Sequence, residues 1–186
     1  MSTAPSRPPS EPARIIIAMG VSSSGKSTVG KAIGRRLHVP FLDGDGYHPA
    51  ANKEKMRAGI PLTDEDRWPW LETLALALKE AAGQKGAAVG ACSALKRSYR
   101  DFVTAKAGEP ILFVFLQGSK EVIGKRIAAR QHEYMPASLL DSQFATLEVP
   151  TPDENVITVS VEDPVETIAT KVVKALDHLK TFKRGQ

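Results

Sequence analysis

The sequence predicts an α/β protein of three layers: helices on both faces of a five-stranded, mostly parallel sheet, with a lid segment at one end. Three observations carry that expectation. Short apolar runs alternate with stretches whose apolar residues recur at helical spacing, and such strand–helix–strand repetition builds right-handed crossovers and a parallel sheet. The string Gly20-Val21-Ser22-Ser23-Ser24-Gly25-Lys26-Ser27-Thr28 stands between the first apolar run and the first helical one. An acidic pair, Asp43 and Asp45, follows the second apolar run, at the carboxyl end of a strand, where open α/β sheets receive ligands.

Taken in order, residues 1–13 are rich in serine and proline (Pro5, Pro8, Pro9, Pro12) and read as a disordered N-terminal segment; residues 14–186 read as one domain. Ile15 to Met19 is apolar throughout, as in a strand covered on both faces. Lys26 to Leu37 is the first helix, with Val29, Ala32, Ile33 and Leu37 on one face. Pro40 ends that pattern, and Phe41 to Asp43 is the second strand. Residues 44–67 form a loop holding a short helix over Asn52 to Ala58. Thr63 to Asp66 has the form of a capping box, and Pro69 suits the first turn of a helix on which Leu71, Leu74, Ala75 and Leu78 share a face. Ala87 to Ala91 is the third strand, Ser98 to Ala107 a helix, and Ile111 to Leu116 the fourth strand. Ser119 is placed to cap a helix running to about Arg130. Residues 131–150, broken by Pro136 and Pro150, read as an irregular lid. Val156 to Val161 is the fifth strand. Asp163 then caps a last helix with Pro164 at its first position and Val165, Ile168, Ala169, Val172, Val173 and Leu176 as its apolar stripe.

Composition narrows the function classes. With 25 lysines and arginines against 21 aspartates and glutamates the formal charge is only +4, and no basic run approaches a nucleic-acid arm. No apolar run reaches the length of a membrane span, and the N-terminus lacks the apolar core of a signal peptide. Cys92 is the single cysteine, so no internal disulfide is possible, and a reducing interior such as the cytoplasm fits. Cys92 itself reads as a small buried residue rather than a nucleophile.

The glycine-bounded string carries the chemistry. G-x-x-x-x-G-K-[ST] between a strand and a helix is a phosphate loop: backbone N–H groups from Gly20 to Thr28 turn inward as an anion nest and the helix dipole adds positive potential. Lys26 then reaches the outer phosphates, and the Ser27 hydroxyl is placed for Mg²⁺. Asp43 and Asp45 suit a division of labour in phosphoryl transfer, one carboxylate addressing the metal and the other the acceptor hydroxyl. Lys53 and Arg57, and again Lys96 and Arg100, stand four residues apart on helical stretches and could offer basic surfaces to an acidic substrate. Arg126 and Arg130 repeat the spacing before the lid, where they could stack on a base and clamp a transferred phosphoryl group. A lid has a purpose in such a site, because water competes with the acceptor hydroxyl.

The motifs MGVSSSGKST, FLDGDGYHP, NKEKMRAGIPLTDEDRWPWL, CSALKRSYRD, FVFLQG, RIAAR and SQFATLEVP, spread from Ile15 to about Val161, resemble the bacterial gluconokinases, in the wider shikimate-kinase and nucleoside-monophosphate-kinase-like group of P-loop kinases. DGDxxHP together with CSALKxxYRD is more specific than the phosphate loop; shikimate kinases carry a glycine-rich element where CSALK stands here. The resemblance implies a P-loop kinase fold and ATP-dependent phosphorylation of D-gluconate at its 6-hydroxyl. It further implies ATP and Mg²⁺ as cofactors and the homodimer frequent in that family. It assigns Lys26 and Ser27 to phosphates and Mg²⁺, Asp45 to the acceptor hydroxyl, Asp43 to the metal through water, His48, Arg57, Lys96 and Arg100 to gluconate, and Arg126 and Arg130 to the lid. One departure is visible: the family's lid often reads Gly-His-Phe soon after the second arginine, where this chain has Gln131-His132-Glu133-Tyr134. Two other readings stay open on the residues alone, a kinase for another small hydroxy acid such as shikimate and a nucleotide-binding regulator that transfers nothing.

Overall fold

The computed structural model describes residues 13–130 and 137–184. Of the N-terminal segment 1–13 expected to be disordered, residues 1–12 lie outside the described residues, and Ala13 packs against the core; of the expected lid 131–150, residues 131–136, His132 included, lie outside them. Five strands, β1 (Ile15–Met19), β2 (Phe41–Asp43), β3 (Ala88–Ala91), β4 (Ile111–Gln117) and β5 (Val156–Ser160), form one parallel sheet in the order β2-β3-β1-β4-β5. The register sets Ile17 between Gly90 and Phe113, so β1 runs through the centre of the sheet. Every β1 residue is buried, which is why that run has no polar position. Seven helices complete the fold among the described residues: α1 (Lys26–Leu37), α2 (Ala50–Arg57), α3 (Asp64–Lys85), α4 (Arg97–Ala107), α5 (Lys120–Ala129), α6 (Ala137–Thr146) and α7 (Val165–Arg184). They include two packed pairs, α1 with α7 and α3 with α4, whose apolar faces enter the same core as the sheet. No helix among the described residues is long and apolar enough to cross a membrane.

Four local expectations change. The capping box at Thr63 and Asp66 forms in both directions, so α3 begins at Asp64 and Pro69 lies inside the helix rather than in its first turn. Its missing N–H interrupts the helical ladder once. Residues 137–146, expected to be irregular, are the helix α6, because Leu140 and Phe144 recur one helical turn apart and seat against the core. The short helix begins at Ala50 rather than Asn52, directly after Pro49. At the last helix the Pro164 carbonyl accepts the Ile168 N–H at 3.1 Å, so Pro164 takes the capping place and the helix starts at Val165.

Because β1 is central, the loop after it opens in the middle of the sheet's carboxyl edge. The Gly20 N–H donates to the Ser93 carbonyl at 3.2 Å, stitching that loop to the chain leaving β3.

Candidate active site

Two glycines let the loop close. Gly20 has φ +149° and Gly25 φ +94°, conformations that L side chains rarely adopt. A Cβ on Gly20 would also stand 2.9 Å from Ser24 Oγ and 3.0 Å from the Leu116 carbonyl oxygen. Ser23 is left-handed as well, at φ 61°, and alternation of this kind turns successive N–H groups inward. Val21 and Ser24 form the buried underside of the loop, while Ser22, Ser23, Gly25, Lys26, Ser27 and Thr28 line a cavity of roughly 450 Å³. The Lys26 ammonium folds back onto the Val21 carbonyl at 2.9 Å. Burial pushes its pKa below the usual lysine value, opposed first by the carboxylate of Asp45 and more weakly by that of Asp43.

Asp43 ends β2 against the start of α1. Its Oδ2 accepts the Ser27 hydroxyl at 2.7 Å and its Oδ1 accepts the Asp45 N–H at 3.1 Å. The backbone leaves the extended form at Gly44 and makes a 3₁₀ turn to Tyr47, which carries Asp45 away from Asp43 and into the cavity wall. Asp43 therefore sits beside Ser27 and Asp45 faces the open space, so one carboxylate can serve a metal and the other an acceptor. Ser27 and Asp43 present adjacent hard oxygens next to the nest, a donor set that suits Mg²⁺, which takes one or two carboxylates and completes its shell from phosphates and water. Among the described residues no group of three or more His, Cys, Asp or Glu side chains forms an all-protein metal cage.

His48 and Arg130 line the same cavity as Asp45. His48 is buried, stacks on Trp70 with ring centroids 3.9 Å apart, and is driven down to about 4 by burial and then by the positive charges of Arg67 and Lys53. The remaining expected site residues stand elsewhere. Arg126 donates to the Val161 carbonyl and lies over Gly25, where a Cβ would be 3.8 Å from its Nη1, so it borders the loop without facing the cavity. Arg57 is exposed on α2 outside the cavity. Lys96 pairs with Asp64 at 3.3 Å. Arg100 is 2% exposed and its guanidinium is fully engaged: Nε and Nη2 meet Glu154 at 2.6 and 3.2 Å, Nη1 donates to the Ala94 and Leu95 carbonyls, and Nη2 donates to the Glu148 carbonyl. That hub fixes the turn after β3, where Ala94 is held at φ 45°. Cys92 is buried with its thiol pushed up to about 12, as a residue with no nucleophilic role would be.

Three cavity residues escape the sequence reading. Arg67 donates to the Tyr99 hydroxyl at 2.9 Å; that hydroxyl donates in turn to Asp64, and the chain aims the guanidinium into the cavity wall. Trp70 closes the wall and donates from Nε1 to the Gly44 carbonyl at 2.7 Å. Gln143, on α6, holds both the peptide N–H and the hydroxyl of Ser22. For Arg67 a signal existed: it precedes Trp70 by three residues and Leu71 by four, so a charge heads the buried stripe of α3.

With this geometry in hand the chain can be set beside known proteins. The family model described as shikimate kinase matches residues 22–177. A gluconokinase of Gluconobacter oxydans is 45% identical over 161 residues, covering 87% of this chain and 90% of its own. The thermoresistant gluconokinase of Escherichia coli is 40% identical over 164 residues, covering 87% and 93%. Among solved structures, a gluconokinase from Sinorhizobium meliloti superposes with a TM-score of 0.81 at 41% identity, covering 97% of this chain and 99% of that one.

Proposed function

The chain belongs to the shikimate-kinase family and stands among its gluconokinases, and on that premise we propose that it transfers the γ-phosphoryl group of ATP to the 6-hydroxyl of D-gluconate, yielding 6-phospho-D-gluconate and ADP. The observation that carries the reading is that the phosphate loop, Asp45, His48 and Arg67 all open on one cavity. A nucleotide donor and a small acidic acceptor can meet there, and the volume lies in the range of small-molecule sites.

The roles follow from position. The inward N–H groups of the loop and the Lys26 ammonium receive the β- and γ-phosphates. Asp45 orients the 6-hydroxyl and accepts its proton as the new O–P bond forms and the bond from γ-phosphorus to the bridging oxygen breaks, leaving ADP. Arg130 stabilises charge on the phosphoryl group in transit, and Arg126 supports the nucleotide from above Gly25. Arg67 supplies the positive charge for the gluconate carboxylate, a duty the sequence had distributed over Arg57, Lys96 and Arg100; His48 donates to a gluconate oxygen. Ser27 and Asp43 would hold Mg²⁺, which would supply neutralisation of the charge that develops during transfer.

A coupled assay for ADP release tests this across gluconate, shikimate and other sugar acids. Turnover with gluconate and little with shikimate is expected. Turnover with shikimate alone, or ATP binding with no transfer to any acid, would replace the reading with one of its two rivals.

A further inference from the structure

His48 is held by more than its stack on Trp70. Its Nδ1 lies 3.2 Å from Asn52 Nδ2, and that same amide nitrogen donates to the Asp66 carbonyl at 2.9 Å. A backbone carbonyl can only accept, so the group facing Asp66 is the NH₂ end of the Asn52 carboxamide. One of its hydrogens goes to Asp66 and the other points at His48 Nδ1, which must then present a lone pair. The single proton of a neutral imidazole is left on Nε2. Among the described residues Nε2 has no protein partner, and His48 lines the cavity whereas Asn52, 3% exposed, does not.

The support of Asn52 is itself rigid. Asp66 is fixed by the capping box with Thr63 and by Lys55 at 2.7 Å. The Trp70 ring is anchored to Gly44 and keeps the imidazole plane within 18° of its own. Burial, then the charges of Arg67 on α3 and Lys53 on α2, keep the imidazole neutral at physiological pH.

We propose that Asn52 is a positioning residue that locks His48 as the Nε2–H tautomer, making it a neutral, donor-only contact for an oxygen of the acceptor substrate. This rests on the reading of the cavity as the gluconate site. Its consequence is a split of recognition: Arg67 carries the charge that selects an acid, and His48 reads an acceptor oxygen without adding charge.

Two measurements on the full chain test it. Nitrogen-15 NMR of the histidines at pH 8, without substrate, reports the tautomer of His48 independently of any activity. The wild type should show Nε2–H; Asn52→Ala should show a mixture; Asn52→Asp, whose carboxylate accepts from Nδ1–H, should reverse it. In steady-state kinetics Asn52→Asp should raise KM for gluconate about tenfold, the worth of one lost hydrogen bond, with kcat and KM for ATP within about twofold. Asn52→Ala guards against a variant that fails to fold and should lie between the two. A wild-type Nδ1–H tautomer, or a reversed tautomer with an unchanged KM for gluconate, overturns the proposal while leaving the kinase reading intact. Absence of gluconate turnover in the wild type would sink that reading instead and leave the NMR result standing.

Discussion

The Gln143 carboxamide bridges Ser22 at two points: Oε1 accepts the Ser22 peptide N–H at 2.7 Å, and Nε2 donates to the Ser22 hydroxyl at 2.8 Å. A side chain 121 residues along the sequence thus occupies a donor of the phosphate loop. The α6 helix that bears it is seated by Leu140 in the core, so the contact joins the helical part of the expected lid to the phosphate loop.

A nucleotide phosphate seated in the loop would compete with Gln143 for that N–H. Replacing Gln143 with Ala removes the competitor and should tighten ATP binding about two- to tenfold, the equivalent of one net hydrogen bond of about 0.5–1.5 kcal/mol. Calorimetric titration of the variant with Mg-ATP measures this; unchanged or weaker binding would show that the bridge does not oppose the nucleotide.

Asp45 faces the cavity while Asp43 is tied to Ser27, so the two carboxylates should respond differently to neutralisation. Asp45→Asn should lower kcat by about 10²- to 10⁴-fold, the usual share of a general base, with ATP affinity retained. Asp43→Asn should instead raise the Mg²⁺ concentration needed for half-maximal rate. Wild-type turnover in Asp45→Asn would remove Asp45 from the chemistry.

Arg67 is the cavity cation assigned to the acid group, and Arg57 lies outside the cavity. Arg67→Leu should raise KM for gluconate about 10- to 150-fold, matching a charge-assisted hydrogen bond of about 1.5–3 kcal/mol, with KM for ATP little changed. Arg57→Ala should stay within about twofold. The reverse pattern would return the carboxylate to α2.

Arg100 and Glu154 form a buried pair, with side chains 2% and 8% exposed. Removing one partner strands the other charge, so Arg100→Leu should cost about 3–5 kcal/mol. For a chain of this size that is a fall in Tm of about 6–20 °C. Burial alone would raise the Glu154 pKa, but the Arg100 hydrogen bond, with help from the Thr151 N–H, holds it below the ordinary glutamate value. A depressed carboxylate stabilises above its unfolded pKa, and that stability is lost as pH falls through the folded value. Acid thermal melts should therefore show the wild type losing stability in that range, and Glu154→Gln, less stable at neutral pH, losing less. Equal acid slopes would count against this role for the pair.

Much of the site was legible because it lies in contiguous residues whose backbone requirements are local. The loop from Gly20 to Thr28 shows its two glycines, its lysine and its serine at fixed offsets, and the strand before it is apolar for lack of any exposed face. Asp43 and Asp45 announce themselves by following a strand. Arg100 misleads for the same reason that Arg67 hides. Both are arginines near a strand end or helix start, and nothing local tells a guanidinium that will be consumed by Glu154 from one that Tyr99 will aim at a cavity.

By itself, then, the chain's order of residues determined the parallel sheet, the phosphate-loop motif, the acidic pair after β2 and membership in a kinase family, since each depends on neighbours within a few residues or on a recurring period. Only the tertiary structure decided which basic residues line the cavity, that Gln143 lies on Ser22, and that Asn52 lies against His48. Those depend on how α2 meets α3 and how α6 meets the loop after β1, and a side chain's partner across such distances is set by packing, which no local pattern encodes.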